Sequence, residues 1–246
     1  MPHVIGIIPA RYQSKRFPGK PLALLGGIPL IVRVLETARK AKLISEAYVA
    51  TDDDRIASTV RQHGGQVLMT SNDPPTGSDR VAEAASNIAK GDFIINIQGD
   101  EPFFSGDVID KVISALDDPN VVMSTPCSLI EDQSQADDVN VVKVVLDRAG
   151  NAIYFSRSRI PYDRSGEAGV AQLYRHIGIY GFKRDFLMKF RLLERTPLEK
   201  SEGLEQLRVL EHGYDIRAVI VDGEFPGIDT EEDLFKAEEL LGKRRH

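Results

Sequence analysis

One cysteine, Cys127, occurs in 246 residues. That single thiol excludes an intrachain disulfide and any cysteine-rich metal centre. Long apolar runs are also missing, and none approaches the roughly 20 residues of a membrane span. Met1 to Val4 lacks the basic start and apolar stretch of a signal peptide. Positive charge is not in excess either. Lys and Arg number 31 against 37 Asp and Glu, a formal charge of -6, which disfavours nonspecific binding to nucleic acid or an anionic membrane. There is no internal repeat and no low-complexity linker. The expectation is a soluble protein of a reducing cytoplasm, long enough to bury a substantial core in one domain.

What is present is an alternation of apolar runs and helical stripes. Val4–Ile8, ended by Pro9, reads as a buried strand. Ile31, Val34, Leu35 and Ala38 share a helical face. Tyr48–Thr51, Gln66–Met69 and Phe93–Ile97 read as further strands. Asp52–Asp54 is placed to cap one helix, and Ser78 to open another. Val108, Ile109, Val112, Ile113 and Leu116 form a stripe. Strands alternating with helices predict an α/β fold with a mostly parallel sheet. After Val121 the pattern loosens. Val121–Leu129 and Val139–Leu146 read as β segments with no helix between them, and "YRHIGIYGF" as a strand. Leu204, Leu207 and Leu210 suggest a helix, Ile216–Val221 a strand, and Thr230–Asp233 a capped helix start.

Against the acidic total, Arg11, Lys15, Arg16 and Lys20 crowd the loop after the first strand. Such a loop lies at the carboxyl end of a parallel sheet, where ligands bind. Gly19 and Gly26–Gly27 permit close backbone approach, and Arg11 and Lys20 can neutralise a polyphosphate. The Gly-Lys-[ST] ending of a P-loop and the G-x-G-x-x-G dinucleotide pattern are both absent. The bland reading is a solvated basic loop. "NIQGDEP" adds Asp100 and Glu101 at the same sheet edge, and "PGIDTEED" adds Asp229. Hard oxygen ligands beside a phosphate site suggest Mg²⁺; alone, either acid also has a reading as an ordinary residue at a helix start.

"PARYQSKRFPGKPL", "TGSDR", "NIQGDEP", "VKVVLD", "YFSRSRIP", "RHIGIYGF" and "LEQLRVLEHG" together resemble the 3-deoxy-manno-octulosonate (Kdo) cytidylyltransferases along nearly the whole chain. "PAR…PGK" is shared with the acylneuraminate cytidylyltransferases, and the later motifs favour Kdo.

The resemblance implies a Rossmann-like nucleotidyltransferase fold with helices on both faces of a mostly parallel sheet, and a smaller β-rich subregion. It implies one domain over residues 1–246, with a CTP-binding half near 1–120 and a sugar-binding and dimerisation half over 121–246. The implied reaction is CTP plus Kdo to CMP-Kdo and diphosphate, for lipopolysaccharide assembly, by a cytoplasmic, Mg²⁺-dependent homodimer.

Arg11 and Lys20, supported by Lys15 and Arg16, match the family's triphosphate loop. Thr76, Gly77, Ser78 and Arg80 match its nucleotide-binding turn, here "TGSDR" where many relatives have Ser-Gly-Thr-Glu-Arg. Lys20, Asp100 and Asp229 are the expected catalytic residues, with the two aspartates as metal ligands. Gln98, Arg157, His176, Tyr180, Glu205 and Gln206 match the sugar pocket. From the residues alone, His176 and Tyr180 share a strand face, and Arg157, Glu205 and Gln206 read equally as surface. Two alternatives stay open. One is the same reaction on an acylneuraminate or an amino-substituted Kdo, and the other is a nucleotide-binding relative without catalysis.

Overall fold

The structure is a computed structural model that describes residues 2–13, 16–72, 74, 76–164, 172–223 and 225–243. Its elements begin with β1 (Val4–Ala10), the hairpin β2 (Leu24–Leu25) and β3 (Ile28–Pro29), α1 (Leu30–Arg39), β4 (Glu46–Thr51) and α2 (Asp54–Gln62). Then come β5 (Gln66–Met69), α3 (Gly77–Ser86), β6 (Phe93–Ile97), α4 (Gly106–Ser114), β7 (Met123–Leu129) and α5 (Gln133–Asp137). They are followed by β8 (Lys143–Leu146), β9 (Ala152–Ser156), β10 (Tyr174–His176), β11 (Ile179–Lys183) and α6 (Arg184–Phe190). The chain closes with α7 (Pro197–Glu202), α8 (Leu207–Glu211), β12 (Ile216–Ile220) and α9 (Glu231–Lys243). Two compact units result: Met1–Asp110 with Glu224–His246, and Lys111–Gly223.

The first unit is built on the parallel strands β5-β4-β1-β6. β1 is its axis. Ile5, Ile7 and Ile8 are fully buried, so both of its faces are covered, as expected for parallel sheets. The strand runs two residues past the expected end. Pairing with β6 stops at Ile7 while pairing with β4 continues through Pro9 and Ala10, so the donor that proline lacks falls where one side of the ladder is already released. α1 buries Leu30, Ile31, Val32, Val34, Leu35 and Ala38, each large aliphatic worth about 1.5–3 kcal/mol. α2 starts at Asp53, whose carboxylate accepts from the N–H groups of Arg55 at 2.9 Å and Ile56 at 3.3 Å. α9 opens on the expected reciprocal cap: Asp233 N–H donates to Thr230 Oγ1 at 3.2 Å, and Thr230 N–H to Asp233 Oδ2 at 3.0 Å.

In the second unit β7 pairs antiparallel with β10 and β11 and parallel with β12. β8 pairs with β10 and β9, both antiparallel. Three expectations are corrected here. A helix, α5, does separate β7 from β8; the Asp132 carboxylate caps it by accepting from Ser134 N–H at 2.9 Å, and its single polar turn is too short to show a stripe. The second β segment is Lys143–Leu146, four residues shorter than Val139–Leu146. "YRHIGIYGF" is two strands, and the break separates His176 from Tyr180. Ile179 N–H turns back onto Ile177 O at 2.8 Å, and the Thr125 hydroxyl holds Ile179 O at 2.8 Å. Among the described residues no helix is long and apolar enough to cross a membrane.

Candidate functional site

The basic loop is anchored through its two aromatic residues, Tyr12 and Phe17. Phe17 is buried with Leu25, Leu30, Ile228 and Ala237. Gly19, at φ 75°, donates its N–H to Tyr12 O at 2.9 Å. A Cβ there would meet the Tyr12 ring at 3.2 Å, so glycine is required by both conformation and space. The Arg55 guanidinium lies 3.3 Å from the Tyr12 ring centroid. Arg55 is held in turn by Asp53 at 2.6 and 3.1 Å. The loop's cations are thus mounted on a fixed frame. Lys15 lies outside the described residues.

Two carboxylates meet this loop. Asp100 follows β6 and Asp229 precedes α9, and Ile228 N–H donates to Asp100 O at 2.9 Å, tying the two segments together. Lys20 Nζ lies 2.8 Å from Asp100 Oδ2 and 3.1 Å from Asp229 Oδ1. Arg16 Nη2 lies 3.0 Å from Asp229 Oδ2. Three segments distant in sequence converge on one ammonium. The described residues contain no group of three or more His, Cys, Asp or Glu side chains suited to a metal ion. What they do contain is a pair of hard oxygen donors already closed around a cation. That arrangement fits a divalent ion completed by water and phosphate oxygens.

A polar cavity of about 770 Å³ gathers Arg11, Arg16, Lys20, Asp100 and Asp229 with Thr76, Gly77, Arg80 and Gln98. Thr76 caps α3, its hydroxyl donating to Asp79 Oδ2 at 2.8 Å and accepting from Asp79 N–H at 3.2 Å. Gln98 packs against Gly77, so it lies beside the Thr76–Gly77 turn in the first unit. Arg80 reaches the wall as a restrained side chain, paired with Asp52 at 3.0 Å, bonded to Ser71 O at 3.2 Å and to the Thr70 hydroxyl. Ser78 is fully buried and is not among the cavity residues; Asn96 Nδ2 donates to its hydroxyl at 3.0 Å. Its position beneath the turn, at the base of α3, makes it part of the frame.

The remaining expected residues lie in the second unit. The His176 and Tyr180 rings stack with centroids 5.4 Å apart, despite the strand break. Tyr180 donates its hydroxyl to Gln206 Oε1 at 3.1 Å. Thr125 Oγ1, whose proton goes to a backbone carbonyl, sits 2.9 Å from His176 Nε2, which makes Nε2 the protonated nitrogen. Burial, helped by the Arg175 charge, pushes the His176 pKa down to about 3, so the ring is neutral throughout the physiological range. Arg157 Nε and Nη1 donate to the carbonyls of Glu202 at 2.8 Å and Val139 at 3.0 Å. The Glu202 carboxylate accepts from Arg157 N–H at 2.9 Å and the Ser156 hydroxyl at 2.6 Å. Beneath them, buried Lys143 donates to the carbonyls of Asp138, Val141 and Arg157 at 2.5–2.8 Å. Glu205 is half-buried, in the link between α7 and α8.

Sequence reasoning passed over Tyr12, Arg55, Asn96 and Glu202, which hold the expected residues in place, and read Asp52 only as part of a helix cap. Only Asn96 carried a signal, as a polar residue inside an apolar strand run; the others become recognisable only through their partners.

A parallel α/β unit with a mounted basic loop, a capped helix start and two carboxylates paired beside that loop has the parts of a nucleotidyltransferase. A family model described as cytidylyltransferase matches residues 5–216. The 3-deoxy-manno-octulosonate cytidylyltransferase of Geobacter sulfurreducens is 47% identical over 249 residues, covering 97% of this chain and 99% of that protein. The protein of the same name from Pelobacter propionicus is 45% identical over 247 residues, 96% of each. A solved structure of CMP:2-keto-3-deoxy-manno-octonic acid synthetase complexed with CTP superposes with a TM-score of 0.93 at 38% identity, over 98% of this chain and 99% of that one. The chain belongs to the 3-deoxy-manno-octulosonate cytidylyltransferase family.

Proposed function

We propose that the protein transfers CMP from CTP to Kdo, releasing diphosphate and supplying CMP-Kdo for lipopolysaccharide biosynthesis. The anomeric hydroxyl of the sugar forms a bond to the α-phosphorus as the bond to the departing diphosphate oxygen breaks. Little covalent chemistry is asked of the protein, which positions the reactants and offsets charge. Arg11, Arg16 and Lys20 would take the triphosphate oxygens, and the α3 start with Thr76 and Gly77 the nucleoside. Asp100 and Asp229 would hold Mg²⁺, which when bound neutralises phosphate charge. In the second unit we assign the sugar to Arg157, His176, Tyr180, Glu205 and Gln206. Arg157 Nη2 has no protein partner among the described residues, and pairing with the sugar carboxylate would satisfy it. His176, neutral and stacked on Tyr180, offers shape and a fixed hydrogen bond, not charge.

The observation that carries this reading is the convergence of Lys20, Asp100 and Asp229 in a member of this family. The test is diphosphate release from CTP with Kdo, an acylneuraminate and an amino-substituted Kdo as acceptors. Kdo should be preferred. Asp100→Asn and Asp229→Asn should each lower turnover by about 10³-fold, the scale on which charge stabilisation of a transition state operates, while unfolding as wild type. Preference for another acidic sugar would redirect the reading, and near-normal turnover in either folded variant would end the two-carboxylate assignment.

A further inference from the structure

Lys20 occupies the ground that a metal ion would need. Its ammonium lies within 3.1 Å of both carboxylates, whereas Mg²⁺ demands oxygens at about 2.0–2.1 Å and near-octahedral space. A cation in that cleft and the ammonium cannot both be accommodated. The electrostatics point the same way. Asp100 and Asp229 carry two negative charges, and Lys20 and Arg16 return two positive ones at 2.8–3.1 Å. The cluster is therefore neutral, and a divalent ion approaching it meets no net attraction.

The lysine is also held where it is. Its side chain is only 14% exposed, so leaving the carboxylates for open water is not the natural alternative. Its backbone belongs to a tight turn, with Leu22 N–H on Gly19 O at 2.8 Å, so the movement available is a swing of the side chain. A competing anion beside it would draw it away, and the cavity that Lys20 lines also carries Arg11 and Arg16 as seats for that anion. We infer that Lys20 is a resident counter-ion that keeps divalent metal out of the Asp100–Asp229 pair until a nucleotide polyphosphate draws the ammonium off. This rests on the reading of the two aspartates as metal ligands. Metal uptake at the pair is then conditional on nucleotide, and by linkage each ligand tightens the other by the same factor. The loop's cations have two partners in turn: the protein's own carboxylates first, the substrate's phosphates second.

The measurement is Mn²⁺ binding to nucleotide-free protein, followed by the electron paramagnetic resonance signal of free Mn²⁺. Wild type should leave Mn²⁺ free over a range in which Lys20→Met takes up one equivalent, a gain of about tenfold or more for removing a unit charge at contact distance. Adding Asp229→Asn to Lys20→Met should abolish that gain. Lys20→Gln gives the same comparison if the methionine variant does not fold. Tight uptake of Mn²⁺ by nucleotide-free wild type, lost in Asp229→Asn, would overturn the inference without recourse to any lysine variant. So would equal uptake by wild type and a folded Lys20 variant. The CTP-loaded protein separates the two levels of failure. If its Mn²⁺ uptake is sensitive to Asp229→Asn while the nucleotide-free forms do not differ, only the counter-ion role is lost. If it is insensitive, the carboxylates are not metal ligands and both readings are lost.

Discussion

Each unit holds a prominent charge cluster, and the two are built in opposite ways. In the first, Asp229 keeps a side-chain exposure of 44% and shares its oxygens between Lys20 and Arg16 across an open cavity. In the second, Glu199 and Arg208 are 1% and 2% exposed and bound at 2.7 and 2.9 Å. The Arg208 guanidinium also covers the Phe190 ring. Burial alone would raise the Glu199 carboxyl, but hydrogen bonds from Arg208 and Arg195 outweigh it and hold it below the usual range. Charges of the first kind can be exchanged for those of a ligand, and charges of the second kind are committed to the fold. Glu199 and Arg208 fasten α7 to α8, and the link between those helices carries Glu205 and Gln206. A fixed ion pair there presets part of the assigned sugar pocket.

The largest expected effect tests that division. Glu199→Gln strands Arg208 in the interior and should cost about 3–5 kcal/mol of stability, as breaking a buried pair does. Asp229→Asn, at a half-exposed pair, should cost no more than about 1 kcal/mol while removing turnover. Urea unfolding of both variants makes the comparison. Equal losses would erase the distinction between the units.

A smaller effect concerns pH. His176 is neutral in the folded protein, with its pKa lowered to about 3 from 6.5. Above pH 6.5 neither folded nor unfolded chain protonates it, and its contribution to stability is complete. Below 6.5 the unfolded chain takes up a proton that the folded chain refuses, so stability falls by up to about 1.4 kcal/mol per pH unit toward pH 3. His176→Gln should flatten the slope by that amount between pH 6.5 and 5, measured as the difference in urea midpoints. An unchanged slope would mean that the ring is solvated.

The parallel half of the fold was legible because its inner strands β1 and β6 are covered on both faces and read as short, mainly apolar runs. Phe93–Ile97 and Gln66–Met69 match to the residue. The Thr230–Asp233 cap was equally plain, being a local contact. The second unit was less so. β9 mixes buried Ala152 and Phe155 with exposed Ile153, and α5 and α7 are too short to carry a helical period. The same limit governs the site. Arg11 and Lys20 announce themselves by charge in the loop after β1, Asp100 by charge just after β6, and Asp229 by charge just before α9. The pairing of Lys20 with the aspartates joins positions separated by 80 and 209 residues, and no local pattern encodes it.

The smallest expected effect returns to the mount of the basic loop, a fixed stack inside the first unit. Tyr12 is gripped on one side by Gly19 and on the other by Arg55, and Asp53 steadies Arg55 while capping α2. Through Gly19 this stack sets the backbone from which Lys20 projects. Removing it should therefore weaken CTP binding more than it weakens the fold. Tyr12→Phe keeps the ring and should behave as wild type. Tyr12→Leu and Arg55→Ala should each raise the CTP dissociation constant about threefold, since an exposed cation–π contact is worth about 0.5–1 kcal/mol. Because each variant destroys the same contact, the double variant should lose little more than either single one, leaving a coupling energy of about 0.5–1 kcal/mol. Calorimetric titration of the four proteins with CTP closes the cycle, and urea midpoints report on the fold. Strictly additive losses would show that Tyr12 and Arg55 act separately, and Lys20 would then owe its position to Phe17 and the buried cluster alone.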